Sequence, residues 1–76
     1  MSEQPAPAIG QIWREVDPRQ ERHIRVMAVG RAHVRLRAVI RHEGGWGPAP
    51  RSREGEAMLH RFNGKRGGYE FIENAP

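Results

Sequence analysis

The chain has no cysteine and no threonine, and it carries a single aspartate among its 76 residues. Without cysteine there is no disulfide to staple a small core and no thiolate nucleophile; the absence fits a reducing compartment, so a cytoplasmic location is expected. No run approaches the roughly 18 apolar residues that a membrane span needs. The opening residues Met1 to Ala8 lack the basic and apolar regions of a secretory signal, so a protein away from any membrane is expected. The two serines, Ser2 and Ser52, sit in polar surroundings without the His and carboxylate spacing of a triad. Asp17 stands beside Arg19, and no paired carboxylates of a hydrolase site stand out. His42 and His60 lack the spacing of a zinc site. A non-catalytic chain with no cofactor and no metal is the expectation.

What is abundant is arginine. The net charge is +4 from 13 basic and 9 acidic residues, and Lys65 is the one lysine. A guanidinium grips phosphate and carboxylate with a planar fork, which suits a nucleic-acid partner. A genome rich in G and C would also supply Arg, Ala, Gly and Pro freely, so composition alone does not choose between the two explanations.

The stretch His33–Arg41 organises the pattern. Val34, Leu36, Ala38 and Ile40 fall on one side of a period-two repeat, and His33, Arg35, Arg37 and Arg41 on the other, with Val39 the one apolar outward residue. His23–Val29 is a second strand with Ile24, Val26 and Ala28 inward. Parity argues for an odd-numbered loop after Val29, of three or five residues, that pairs inward with inward, for example Val26 with Leu36; the three-residue version sets Arg25 opposite Arg37 and Met27 opposite Arg35. A first strand is expected over Ile9–Val16, anchored by Ile12 or Trp13 and ended by Asp17-Pro18-Arg19. Residues 42–55, dense in Gly and Pro, read as a long irregular loop. Glu56–Phe62 is a fourth strand running into a turn, Asn63–Gly68 a basic glycine-rich turn, and Tyr69–Ile72 a last strand. Residues 1–8 are expected to be a disordered leader and 73–76 a frayed tail, leaving 9–72 as one domain.

Five short strands with no room for a crossover helix argue an all-β antiparallel sheet that curls to bury one face. A small five-stranded SH3-like barrel is the expected fold, with an OB-like barrel second.

Three clusters in order carry a resemblance: Gly10-Gln11-Ile12-Trp13 leading to Asp17-Pro18-Arg19, then Leu59-His60-Arg61-Phe62, then Gly68-Tyr69. Together they resemble a group of short bacterial and phage-encoded proteins of unassigned function that share a Trp, an Asp-Pro-Arg, a Leu-x-Arg-Phe and a Gly-Tyr. The resemblance would cover Ile9 to Ile72 and implies a small SH3-like barrel. It supplies no activity, and the long loop around Trp46 departs from it.

The residues that could bind are then few. Gly64-Lys65-Arg66-Gly67-Gly68 lacks the Ser or Thr of a nucleotide-binding P-loop, yet its cations and backbone donors suit a phosphate. Arg25, Arg35 and Arg37 on the outward strand face, Arg51 and Arg53 in the long loop, and Lys65 and Arg66 are the expected phosphate ligands, with Trp46 for stacking. Each also has a plain structural role open to it, as solvated charge on a strand face or as a ring folded back on the barrel. Asp17 and Arg61 are expected to form a structural ion pair pinning the early loop, with Arg61 and Arg19 as anion ligands the other possibility. The function expected is a monomeric DNA- or RNA-binding barrel. The alternative is a protein-interaction module, possibly phage-derived, gripping an acidic partner surface with the same arginines.

Overall fold

The two segments with the clearest alternation become the two central strands. In the computed structural model, which describes residues 4–19 and 21–74, β2 spans His23–Val29 and β3 spans His33–His42. Around them lie β1 (Ile12–Glu15), β4 (Gly45–Pro48), β5 (Glu54–Met58) and β6 (Tyr69–Glu73), with a single 3₁₀ turn over Leu59–Arg61. Among the described residues there is no α-helix, hence none long and apolar enough to cross a membrane. All strand pairs are antiparallel, in the order β4-β3-β2-β1-β6, and β5 joins the free edge of β3. The path does not close into a ring.

Six strands instead of five is a correction, and it falls in the segment expected to be irregular. The chain turns at Glu43-Gly44 and pairs Arg41 with Trp46 and Val39 with Pro48. Gly44 holds a φ of 85°, a left-handed conformation that suits glycine in a tight turn. A methyl group on Gly47 would run into the His42 imidazole, so the bare glycine makes room for that side chain. Pro48 sits where β4 ends, and the next donor, Ala49 N–H, already reaches the Ala38 carbonyl at 3.0 Å. Glycine and proline thus mark a short hairpin here, because cross-strand contacts supply what propensity withholds.

The β2–β3 register also differs from expectation at one residue. Val26 does face Leu36 and Arg25 does face Arg37, but Met27 is bulged out, so Arg35 meets Ala28 and Val29 meets Val34. At the tip Gly30 N–H donates to His33 O at 2.8 Å, the spacing of a two-residue turn at Arg31-Ala32. The odd residue that parity demands is therefore in a bulge and not in the loop. Both solutions keep apolar side chains on one face, and the bulge adds local twist that helps the sheet curl.

The main core is built on Trp13, which is fully buried with Ile24, Val26 and Val34. Phe62 and Phe71 meet its ring edge-on, at centroid distances of 5.0 and 5.7 Å, and Tyr69 stacks on Phe62 at 4.9 Å. Leu36 and Ala57 complete the cluster. The indole N–H donates to Gln11 Oε1 at 3.1 Å; that oxygen also accepts Ala8 N–H at 2.8 Å, and Gln11 Nε2 reaches Asn74 at 3.3 Å. Gln11 is the buried polar residue of the core, a role its sequence position did not announce.

The alternation of β3 breaks after Leu36. Val39, an outward residue by parity, is 5% exposed, whereas Ile40 is 43% exposed. The reason lies in β3's second edge, which pairs with β5 over His33–Arg37 and with β4 over Val39–His42. Where β4 takes over, Ile12 and Val39 are buried outside the main cluster, and Trp46 lines a cavity with each of them. At the chain ends, Gln4 in the expected leader accepts Phe71 N–H at 2.7 Å, and Glu73 in the expected tail is part of β6. Residues 1–3 of that leader and 75–76 of that tail lie outside the described residues.

Candidate functional site

On the outer face, cross-strand register sets Ile12, Arg25, Arg37 and Glu54 in one row and Arg35 beside Glu56 in the next. Arg25 and Arg37 face each other directly. Each is anchored by a neutral acceptor: Arg25 donates to the Trp46 carbonyl at 3.0 Å, and Arg37 Nε donates to Ser52 Oγ at 3.3 Å. Neither has a carboxylate within 4.0 Å among the described residues, although Glu54 shares the row with Arg37. Like charges opposed across a ladder repel by a few tenths of a kcal/mol to about 1 kcal/mol. The register thus opposes two arginines on this face, each bonded to a neutral acceptor and neither in a salt bridge among the described residues. Arg35 is exposed on the same face; Arg51 and Arg53 are exposed on either side of Ser52, and Arg53 lines a cavity with the inner-face residues Leu36 and Tyr69. Arg51 is the one described non-glycine residue with a left-handed φ, 62°, at a turn that leaves its side chain exposed.

Trp46 is not a free flag on a loop. Its ring lies 4.8 Å from that of His23, the Arg41 guanidinium lies over it at 5.5 Å, and its indole N–H donates to Glu73 Oε1 at 2.8 Å. β4 and β6 are the two ends of the strand order, so this last bond links the sheet's edges across its outer face. Between them opens the largest cavity described, about 810 Å³, lined by Ile12, Arg25, Arg41, Trp46, Glu73 and the Gly44-Gly45 turn. Arg25 Nε is buried here without any hydrogen-bond partner. The alternation of β2 already places His23 on this outward face with the arginines, whereas Glu73, expected in a frayed tail, gave no signal in the sequence.

The Lys65-Arg66 turn belongs to a different neighbourhood. Arg66 lines grooves with Val16, Asp17, Pro18 and Arg19 and with Arg14 of β1, and shares no cavity with Arg25, Arg35 or Arg37 among those described. The expected Asp17–Arg61 ion pair is not formed. Asp17 Oδ1 accepts Arg19 N–H at 2.8 Å, closing its own turn, while Arg61 donates twice to Gly67 O at 2.7 and 3.0 Å and lies over Tyr69 at 5.2 Å. Gly67 N–H in turn reaches Val16 O at 3.0 Å, so Arg61 still secures the early loop, through backbone and not through charge.

A smaller cavity of about 330 Å³ opens on the inner face, where Ala38 and Gly55 leave space beside Tyr69. Arg22 meets the buried Glu15 Oε2 at 2.8 Å there, a charge contact whose alignment falls short of a hydrogen bond. On the outer face Arg14 is paired with Glu70, its Nε donating to Oε1 at 2.6 Å. Burial first, and then the Arg14 charge, hold the His23 imidazole below its ordinary range, with Arg41 acting the same way; Glu21 and Glu70 oppose them. His23 is therefore the neutral partner of Trp46 at neutral pH. Among the described residues no three His, Asp or Glu side chains are placed to hold a metal ion.

No family model, curated protein or solved structure matches this chain. Its geometry must carry the functional reading alone.

Proposed function

We propose that this protein is a non-catalytic SH3-like barrel that binds nucleic acid through its outer face, without strong sequence preference. The barrel reading is supported by the strand order, the long β1–β2 connection and the 3₁₀ turn that precedes the last strand. The observation that carries the function is the Arg25–Arg37 pair, two arginines opposed in strand register and bonded to neutral acceptors instead of carboxylates. Arg35 is exposed on the same face, and the exposed Arg51 and Arg53 flank Ser52, the acceptor of Arg37. In this reading Arg37, Arg35 and the 51–53 loop contact phosphates, Arg25 supports them from its half-buried position, and Lys65-Arg66 is a separate, lesser contact.

Titration of a labelled DNA duplex and an RNA of equal length at several salt concentrations tests it. Four phosphate contacts give a slope of log affinity against log salt of about −3.6 on duplex DNA, and each contact removed lowers it by about 0.9. Arg35→Glu should therefore weaken binding and flatten the slope. Failure of both polymers to bind below about 100 μM at about 50 mM salt, weaker than ordinary non-specific affinity, refutes the proposal. Capture of an acidic protein that survives nuclease treatment would in that case favour the same arginines acting on carboxylates.

A further inference from the structure

Beyond the phosphate-binding face, the cleft beside Trp46 has the parts of a second, more selective contact. It joins an aromatic ring, two arginines and a buried donor without a partner. The ring is fixed on its edge by Glu73 and braced by the neutral His23. Its cover is Arg41, an exposed side chain whose guanidinium sits 5.5 Å from the ring centroid and forms no salt bridge among the described residues. Arg25 lines the cleft, and its Nε is buried without a hydrogen-bond partner. A buried donor left unpaired is unfavourable, and an acceptor brought by a ligand removes that penalty. The cleft volume of about 810 Å³ is ample for one nucleotide.

We infer that this cleft takes one unpaired base of a single-stranded nucleic acid, and so makes the protein prefer single strands to duplex. The inference rests on the nucleic-acid reading above. The base stacks on Trp46 in the place that Arg41 now holds, Arg41 moves to the adjoining phosphate, and Arg25 Nε donates to a base or phosphate oxygen. A paired base cannot enter, because its face is covered by its neighbours in the helix. Every base offers such a face, so the slot reads strandedness more than sequence.

The inference can be separated from the reading it rests on by comparing a labelled 15-nucleotide oligo-dT with a 15-base-pair duplex at about 50 mM salt. The wild-type chain should bind oligo-dT more tightly. Trp46→Leu should weaken oligo-dT binding about tenfold to a hundredfold, the range expected for one stacked base, and leave duplex binding unchanged. Trp46→Phe, which keeps a ring, should restore most of the loss, and circular dichroism of each variant verifies its fold. Because Trp13 is 0% exposed, quenching of fluorescence by oligo-dT reports on Trp46 directly. Equal affinity for the two polymers, or an equal loss on both in the folded Trp46→Leu protein, overturns the inference while leaving the phosphate-binding face intact. No binding to either polymer overturns both.

Discussion

Replacing Gln11 with leucine removes the buried acceptor of the Trp13 indole and leaves the side-chain volume nearly unchanged. Gln11 Oε1 takes hydrogen bonds from the Trp13 indole at 3.1 Å and from Ala8 N–H at 2.8 Å. The two donors fare differently once it is gone. Ala8 is exposed, so water replaces the lost acceptor, whereas Trp13 is 0% exposed and its N–H is left without a partner. A buried donor stranded in this way costs about 1–3 kcal/mol. In a domain of this size each kcal/mol lowers the melting temperature by about 4–8 °C. The deciding measurement is a double-mutant cycle with Trp13→Phe, followed by urea unfolding and far-UV circular dichroism. Phenylalanine has no N–H to strand, so Gln11→Leu should cost at least about 1 kcal/mol less in that background than in the wild type. Additive losses would show that the Gln11–Trp13 bond contributes nothing of its own and would refute the hub role.

Three further outcomes follow from the same structure. His23 is kept neutral by burial and by Arg14, so its contribution to stability is fully present above the unfolded-state pKa of about 6.5 and is lost as pH falls from there toward its lower folded value. Urea midpoints compared on either side of that value should drop on acidification, and less so in His23→Gln; an identical drop in both proteins would rule His23 out as the cause. Gly68→Ala should unfold the protein or destabilise it by more than about 3 kcal/mol, because the new methyl would overlap the Arg61 carbonyl oxygen. Gly55→Ala, whose methyl would sit 3.9 Å from Leu36 Cδ1, should be neutral, and thermal melts of the pair verify both. Arg61→Met should cost about 1–2 kcal/mol through the lost bonds to Gly67. Asp17→Ala should add to that loss independently, whereas coupling between them by chemical denaturation would revive the ion pair.

The alternation in His23–Val29 and His33–Arg41 determined the two central strands and their inward faces as far as Leu36. Those are local consequences of a period-two pattern, and parity alone transmits them between neighbours. The tertiary structure decided where the parity correction sits, since a bulge at Met27 and a longer loop satisfy the apolar face equally well. It also decided that Gly45–Pro48 is a strand, because the stabilising contacts come from β3 and not from glycine's own preferences. The candidate site divides the same way. Its charges were legible as residue types, but Arg25 and Trp46 hold each other in place, and Glu73 reaches Trp46 from 27 residues away. Only folding brings the two ends of the sheet together, and with them the ring, the arginines and the cleft between them.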